Sequence, residues 1–231
     1  MKVLELFSGT HSVGKKALEL GWEVVSVDLT SYKDFPEPTH KQDILKFDYK
    51  QYDHFDIIWA SPPCTYFSQL IRPWIGRKRG KKGNKYIYTQ ELFDIDFKKG
   101  ISWVEKTLEI INYFKPKYWF IENPSSGTLK KQEIMKGLHY TDVDYCRYCN
   151  WGYRKRTRIW TNVIFKGLLC EGKGKCPNMK GNKHKFTLGG HSKEQPSIGN
   201  GDNRTMKFRI PPDLITFIFS KLNFNITLPD M

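Results

Sequence analysis

Val3-Leu4-Glu5-Leu6-Phe7-Ser8-Gly9-Thr10-His11-Ser12-Val13-Gly14, a short amphipathic run to Leu20, a stop at Gly21 and then Glu23-Val24-Val25-Ser26-Val27-Asp28 is the stretch that decides the fold. Its first and last parts are apolar runs too short and too β-branched for helices, and the segment between them has helical spacing and ends on glycine. Strand, tight turn, helix and strand in that order form a βαβ unit, whose crossover demands a parallel pair. The pattern repeats downstream. Asp56-Ile57-Ile58-Trp59-Ala60 reads as a strand ending in Ser61-Pro62-Pro63-Cys64. Val104, Leu108 and Ile111 keep helical spacing from Ile101 to an exit at Pro116, and Tyr118 to Ile121 is a further strand ending in Glu122-Asn123-Pro124. The expectation is an α/β, Rossmann-like fold with a mostly parallel sheet covered by helices on both faces.

Open parallel sheets bind ligands beyond the carboxyl ends of their strands, so Gly9, Asp28, Cys64 and Glu122 should converge on one edge. The glycine turn at close approach and the strand-end carboxylate Asp28 suit an adenosine-containing cofactor. Asp43, followed by Ile44, could face an adenine amino group, or simply cap a turn. Cys64 follows two prolines that stiffen its backbone at a strand end, where a thiolate could attack carbon. Glu122 offers a carboxyl group to the same pocket. Arg154, Arg156 and Arg158 recur with period two, so on a strand they share one face and want an anion or a base edge.

Composition narrows the partners. The 231 residues carry 38 Lys and Arg against 24 Asp and Glu, a formal charge of +14, which favours a polyanion through counterion release. The charge is densest where Arg72, Arg77, Lys78, Arg79, Lys81, Lys82 and Lys85 alternate with glycines. No apolar run is long enough for a membrane helix and the amino-terminal residues read as a buried strand, so a soluble, intracellular protein is expected. An odd set of five cysteines outside any secreted framework fits a reducing compartment.

Phe7-Ser8-Gly9, Pro63-Cys64, Glu122-Asn123 and Arg156-Thr157-Arg158, in this order over nearly the whole chain, resemble the ordered motifs of the DNA cytosine-5 methyltransferase family, and in particular the small enzymes of large DNA viruses and phages. The resemblance implies S-adenosylmethionine held by Phe7, Ser8, Gly9, Thr10, His11 and Ser12, with Asp28 and Leu29 at the ribose, Asp43 and Ile44 near the adenine, and Ser61, Pro62 and Asn200 completing the site. It implies Cys64 as nucleophile at cytosine C6, Glu122 at N3, Arg158 at the base carbonyl and Arg156 in support. Gln69 to Tyr88 matches the family's mobile catalytic loop, whose cations, with Arg154, would contact double-stranded DNA around a flipped-out base. His11 stands where glycine is usual, Pro124 where valine is, and Arg154 near an expected glutamine. The partner is duplex DNA and the protein is expected to act as a monomer, in the nucleus or cytoplasm of an infected cell if viral.

The expected organisation is a catalytic core over 1–164, a loop-rich target-recognition insert over 165–204 and a carboxyl-terminal segment over 205–231 packing back on the core, with a last helix over Leu214 to Leu222. Cys146, Cys149, Cys170, Cys176 and His184 supply zinc-type ligands that could stiffen such an insert. Five residues separate Cys170 from Cys176 where zinc pairs usually have two to four, so the reading adopted is no metal. Three other functions fit parts of the sequence. The same chemistry can act on a cytosine in tRNA; an amino-methyltransferase needs no covalent cysteine, which Cys64 argues against; and a degenerate DNA-binding relative fits His11 in a usual glycine position, against which Cys64, Glu122, Arg156 and Arg158 stand intact.

Overall fold

A computed structural model describes residues 1–81, 84–188 and 205–222. In chain order the strands are β1 (Lys2–Leu6), β2 (Glu23–Asp28), β3 (His40–Lys41), β4 (Ile57–Ala60), β5 (Lys78–Lys81), β6 (Asn84–Ile87), β7 (Tyr118–Pro124), β8 (Tyr140–Asp144), β9 (Arg156–Thr161), β10 (Met179–Lys180) and β11 (Lys183–His184). The helices are α1 (Ser12–Glu19), α2 (Gln90–Phe114) and α3 (Pro212–Phe219). Seven strands form one sheet in the order β3-β2-β1-β4-β7-β9-β8, with the pairs among the first five parallel and β9 antiparallel to both its neighbours.

The centre of this sheet is apolar on both faces because both are covered. On one face Val3, Ile57, Trp59 and Phe120 pack with α1 and α3 through Val13, Ala17, Leu214, Ile215 and Ile218. On the other, Leu4, Leu6, Ile58 and Ile121 pack with α2 through Trp103, Val104, Ile110 and Ile111. Strands buried on both sides lose the alternating pattern and read as continuous apolar runs. The expected Rossmann-like sheet is the observed one. Among the described residues no helix is long and apolar enough to cross a membrane.

Three elements differ from expectation. Helix α2 begins at Gln90 instead of near Ile101, because Thr89 caps it by accepting a hydrogen bond from the Leu92 N–H at 3.2 Å. Within Gln69 to Tyr88 the described residues form a 3₁₀ segment, Gln69–Trp74, and the antiparallel β5–β6 pair. Strand β9 starts at Arg156, so Arg154 precedes it, and its outer partner β8 has no counterpart in the sequence reading.

Candidate active site

A cleft of about 260 Å³ opens at the carboxyl ends of β1, β2, β4 and β7. Phe7, Gly9, Asp28, Leu29, Asp43, Ile44, Ser61 and Pro62 line one part of it, and Cys64, Glu122 and Lys155 line another. Parallel strands β1, β2, β3, β4 and β7 thus deliver side chains from their carboxyl ends, or from the loops after them, to one edge, as the topology requires.

The Asp28 carboxylate is fixed by the backbone around it. Its Oδ2 accepts from Gly9 N–H and its Oδ1 from Thr30 N–H, both at 2.8 Å. Each oxygen keeps acceptor capacity toward the cleft. Asp43 caps the short 3₁₀ turn Ile44–Lys46 through Leu45 N–H at 3.1 Å and also accepts from Trp103 Nε1 at 3.0 Å. Asp43 thus caps the turn and also lines the cleft. Buried Ile44 and the rings of Phe7 and Trp103, 6.0 Å apart, give an apolar slot between two carboxylates. A flat heterocycle joined to a diol fits that chemistry: apolar walls for the ring, acceptors for hydroxyl and amino donors.

Ser8, Thr10, His11 and Ser12 do not line the cleft. Ser8, Thr10 and His11 are buried beneath the turn. Ser12 Oγ lies 3.0 Å from Thr10 Oγ1 and accepts from Ile210 N–H at 3.1 Å, docking the chain that leads into α3. His11, in the left-handed region at φ 54°, is 3.8 Å from Glu5 and 3.4 Å from Ser8 Oγ. Burial raises the Glu5 carboxyl to about 8 and lowers His11, so both are held neutral under the first turn of α1. Glu5 accepts from Val13 and Gly14 N–H, and a Cβ at Gly14 would come within 2.7 Å of its Oε2. His11 in the usual glycine position is thus a partner of Glu5 and leaves the ligand edge clear. Asn200 falls outside the described residues.

Cys64 opens a 3₁₀ turn, Cys64–Phe67, that is clamped at both ends. Asn123, buried at the end of β7, donates its Nδ2 to the Pro62 carbonyl at 2.8 Å. Thr128 donates its N–H and hydroxyl to the Phe67 carbonyl at 2.7 and 3.0 Å. Helix α2 presses on the turn at Gly100, where a Cβ would meet Tyr66 Cβ at 2.7 Å. Burial raises the Cys64 thiol pKa, Lys155 opposes that, and Glu122 adds to it.

Glu122 is buried and accepts from Tyr145 Oη at 3.0 Å and from Lys155 Nζ at 3.3 Å. Sequence reasoning missed Lys155, Asn123 and Tyr145. Lys155 lies 33 residues from Glu122 in the chain, so only the fold brings the two together.

The arginine expectation needs correcting. Neither Arg156 nor Arg158 lines the cleft. In the β7–β9 register Glu122 lies opposite Ile159 and Asn123 opposite Arg158, and facing residues of an antiparallel pair project to the same side, so Glu122 and Arg158 point to opposite faces. Both guanidinium groups are taken by the edge strand. Arg156 makes two bonds to Asp144 at 3.1 and 2.6 Å, and Arg158 two to Asp142 at 2.8 and 3.0 Å while stacking on Tyr140. The anion they wanted is supplied from within the fold.

The basic surface is partly as expected. Arg72, Arg77, Lys78, Lys85 and Arg154 are exposed; Arg79 is half-buried over the Tyr88 ring. Lys81 ends β5, and Lys82 lies outside the described residues.

The sheet order with one reversed strand, and the cleft across its carboxyl ends lined by carboxylates and an apolar slot, are those expected of an S-adenosylmethionine-dependent methyltransferase. The "Probable DNA (cytosine-5)-methyltransferase" of Frog virus 3 (isolate Goorha) is 39% identical to this chain over 228 residues, covering 93% of this chain and 97% of the viral protein. The chain belongs to the DNA (cytosine-5)-methyltransferase family. No protein-family model matches it. Among solved structures it is similar to a DNMT2 variant from Spodoptera frugiperda, at 18% identity and a TM-score of 0.41, over 75% of this chain and 56% of that one. It is also similar to an antibiotic-related methyltransferase, at 11% identity and a TM-score of 0.36, over 71% and 88% of the two chains.

Proposed function

We propose that the chain methylates cytosine at C5 in DNA, with Cys64 as the covalent nucleophile and Glu122 at the base. One observation carries the reading: Asp28, Asp43 and Phe7 line the same cleft as Cys64 and Glu122. The viral relative's name supports DNA as substrate and C5 as the methylated atom. Asp28, Asp43, Ile44, Phe7 and Trp103 are the residues that would hold S-adenosylmethionine, which supplies an electrophilic methyl group when bound.

The rest is work for this chain's side chains. Cytosine C5 is too poor a nucleophile to be methylated unaided, so the Cys64 thiolate adds to C6 and raises electron density at C5. A proton passed to N3 through Glu122 neutralises the charge that addition places on the ring. Lys155, which with Lys207 is a cation lining the cleft, takes the electrostatic part that the family motif assigns to Arg158. Once C5 carries the methyl group, its proton departs to solvent, the N3 proton returns through Glu122, and the electron pair left at C5 expels Cys64 from C6 as thiolate. The target carbon is buried in duplex DNA, so the base must leave the stack, at a cost of a few kcal/mol. Arg72, Arg77, Lys78 and Lys85 on the hairpin side and Arg154 near the cleft are the phosphate contacts we assign, and 165–204 the segment we assign to target recognition, acting in a monomer.

The test uses duplex DNA carrying 5-fluorocytosine, whose fluorine cannot leave as a proton, with labelled S-adenosylmethionine. The expected result is a covalent protein–DNA adduct that Cys64→Ser abolishes while cofactor binding persists. An adduct persisting in Cys64→Ser, or transfer to tRNA with none to duplex DNA, would overturn the proposal.

A further inference from the structure

We propose that Cys146, Cys170, Cys176 and His184 bind one zinc ion that staples the segment following the arginine strand to the catalytic core. This reverses the no-metal expectation, which rested on sequence spacing; the fold supplies the proximity that spacing does not. Cys146 lies in the 3₁₀ turn directly after β8, Cys170 and Cys176 in the loop beyond β9, and His184 on β11. Their four ligand atoms all lie within 4.8 Å of one another. Cys170 Sγ and Cys176 Sγ are each 3.6 Å from the same nitrogen, His184 Nε2. Zinc bonds of about 2.3 Å to sulfur and about 2.0 Å to nitrogen give a tetrahedron whose sulfur–nitrogen edge is about 3.5 Å, within about 0.1 Å of both distances. The geometry is that of a coordination shell. A thiol is a weak donor, and one imidazole nitrogen has a single hydrogen-bonding position to share.

Cys149 fixes the composition of the set. Its Sγ donates to the Tyr145 carbonyl at 3.1 Å, and it does not belong to the group. Three thiolates and one imidazole close all four positions of a tetrahedron, which is a structural zinc site and leaves no place for a reacting molecule. Binding releases the three thiol protons to solvent. The surrounding frame already holds the ligands in place: Cys170 N–H donates to Asp144 Oδ2 at 2.8 Å, and buried Asn178 donates to the carbonyls of Cys146 and Cys149, both at 2.8 Å.

The staple also has a mechanical reason. In the stretch 166–188, Leu168, Leu169 and Phe186 are 39%, 43% and 36% exposed, so it has little apolar core of its own, the condition under which small modules use metals. The metal end of that stretch borders the active site. Tyr145, next to Cys146, donates to Glu122, and Asp144 ties Cys170 to Arg156.

The experiment measures zinc in the full chain purified without chelators, and its release to a chromophoric chelator. One zinc per chain is expected, with cobalt replacement giving the visible absorption of a tetrahedral thiolate complex. Cys170→Ser and His184→Ala should lower zinc affinity at least tenfold, Cys149→Ser should leave it unchanged, and His184→Cys should retain the metal with a shifted cobalt spectrum. Metal-free protein after zinc supplementation, iron in place of zinc, an octahedral cobalt spectrum, or equal loss in Cys149→Ser would each overturn the proposal. Should a ligand variant fail to fold, the zinc content and cobalt spectrum of the unaltered protein still decide.

Discussion

Replacing Lys155 by methionine removes one charge from the cleft and keeps most of the side chain's bulk. Lys155 Nζ is 3.3 Å from Glu122 Oε1, and the two side chains are only 11% and 7% exposed. At that separation an effective dielectric near 20 gives a gross attraction of about 5 kcal/mol, and desolvation of the pair takes back part of it. The variant leaves the carboxylate buried with Tyr145 as its remaining donor, so unfolding free energy should fall by about 3 kcal/mol in urea titrations at neutral pH. The kinetic consequence has a definite sign. Burial raises the Cys64 thiol and Lys155 is the leading influence that lowers it, so in Lys155→Met the thiol pKa rises further. The thiolate is the nucleophile, so the ascending limb of the pH–rate profile should move to higher pH, with the neutral-pH rate falling roughly tenfold per pH unit of displacement. Single-turnover methyl transfer across a pH series measures this, and Lys155→Arg should keep the limb near its original position. A limb that stays put in Lys155→Met, with unfolding free energy unchanged, would refute the electrostatic reasoning.

Asn123→Ala cuts the bond that holds the Pro62 carbonyl and should reduce turnover by about 10- to 100-fold through misplacement of Cys64, with cofactor affinity unchanged by calorimetry. Equal loss in both quantities would make Asn123 a general fold residue instead. Substituting glutamine for Arg72, Arg77, Lys78 and Lys85 together should flatten the dependence of log affinity for duplex DNA on log salt by about 0.9 for each phosphate that is no longer neutralised. An unchanged slope rules out the hairpin as a phosphate-binding surface.

What could be read from the sequence followed from how each element is buried. Strands β1, β2, β4 and β7 lie at the centre of the sheet, so their apolar runs were legible, and their carboxyl ends and the loops after them put Gly9, Asp28, Cys64 and Glu122 at one edge as expected. The edge strand β8, Tyr-Thr-Asp-Val-Asp, carries two carboxylates where a strand reader looks for apolar residues. Those carboxylates are the cross-strand partners of Arg156 and Arg158, so missing the strand and misplacing the arginines were one error. The first turns of α2 were missed because Asp94, Asp96, Lys98 and Lys99 mask the apolar spacing, although Thr89 was a legible cap. The Cys146–Cys149 spacing looks like a ligand pair, yet the backbone turns only the first sulfur toward Cys170, Cys176 and His184.

The bond from Ile210 N–H to Ser12 Oγ joins residues 198 positions apart, and Lys207 and Phe208 beside it close one wall of the cleft. During synthesis, the glycine turn emerges from the ribosome early and stays open-walled while almost all of the later chain is translated. A nascent chain stalled anywhere before residue 207 would therefore carry Cys64 and Glu122 beside a cleft that still lacks the wall formed by Lys207 and Phe208.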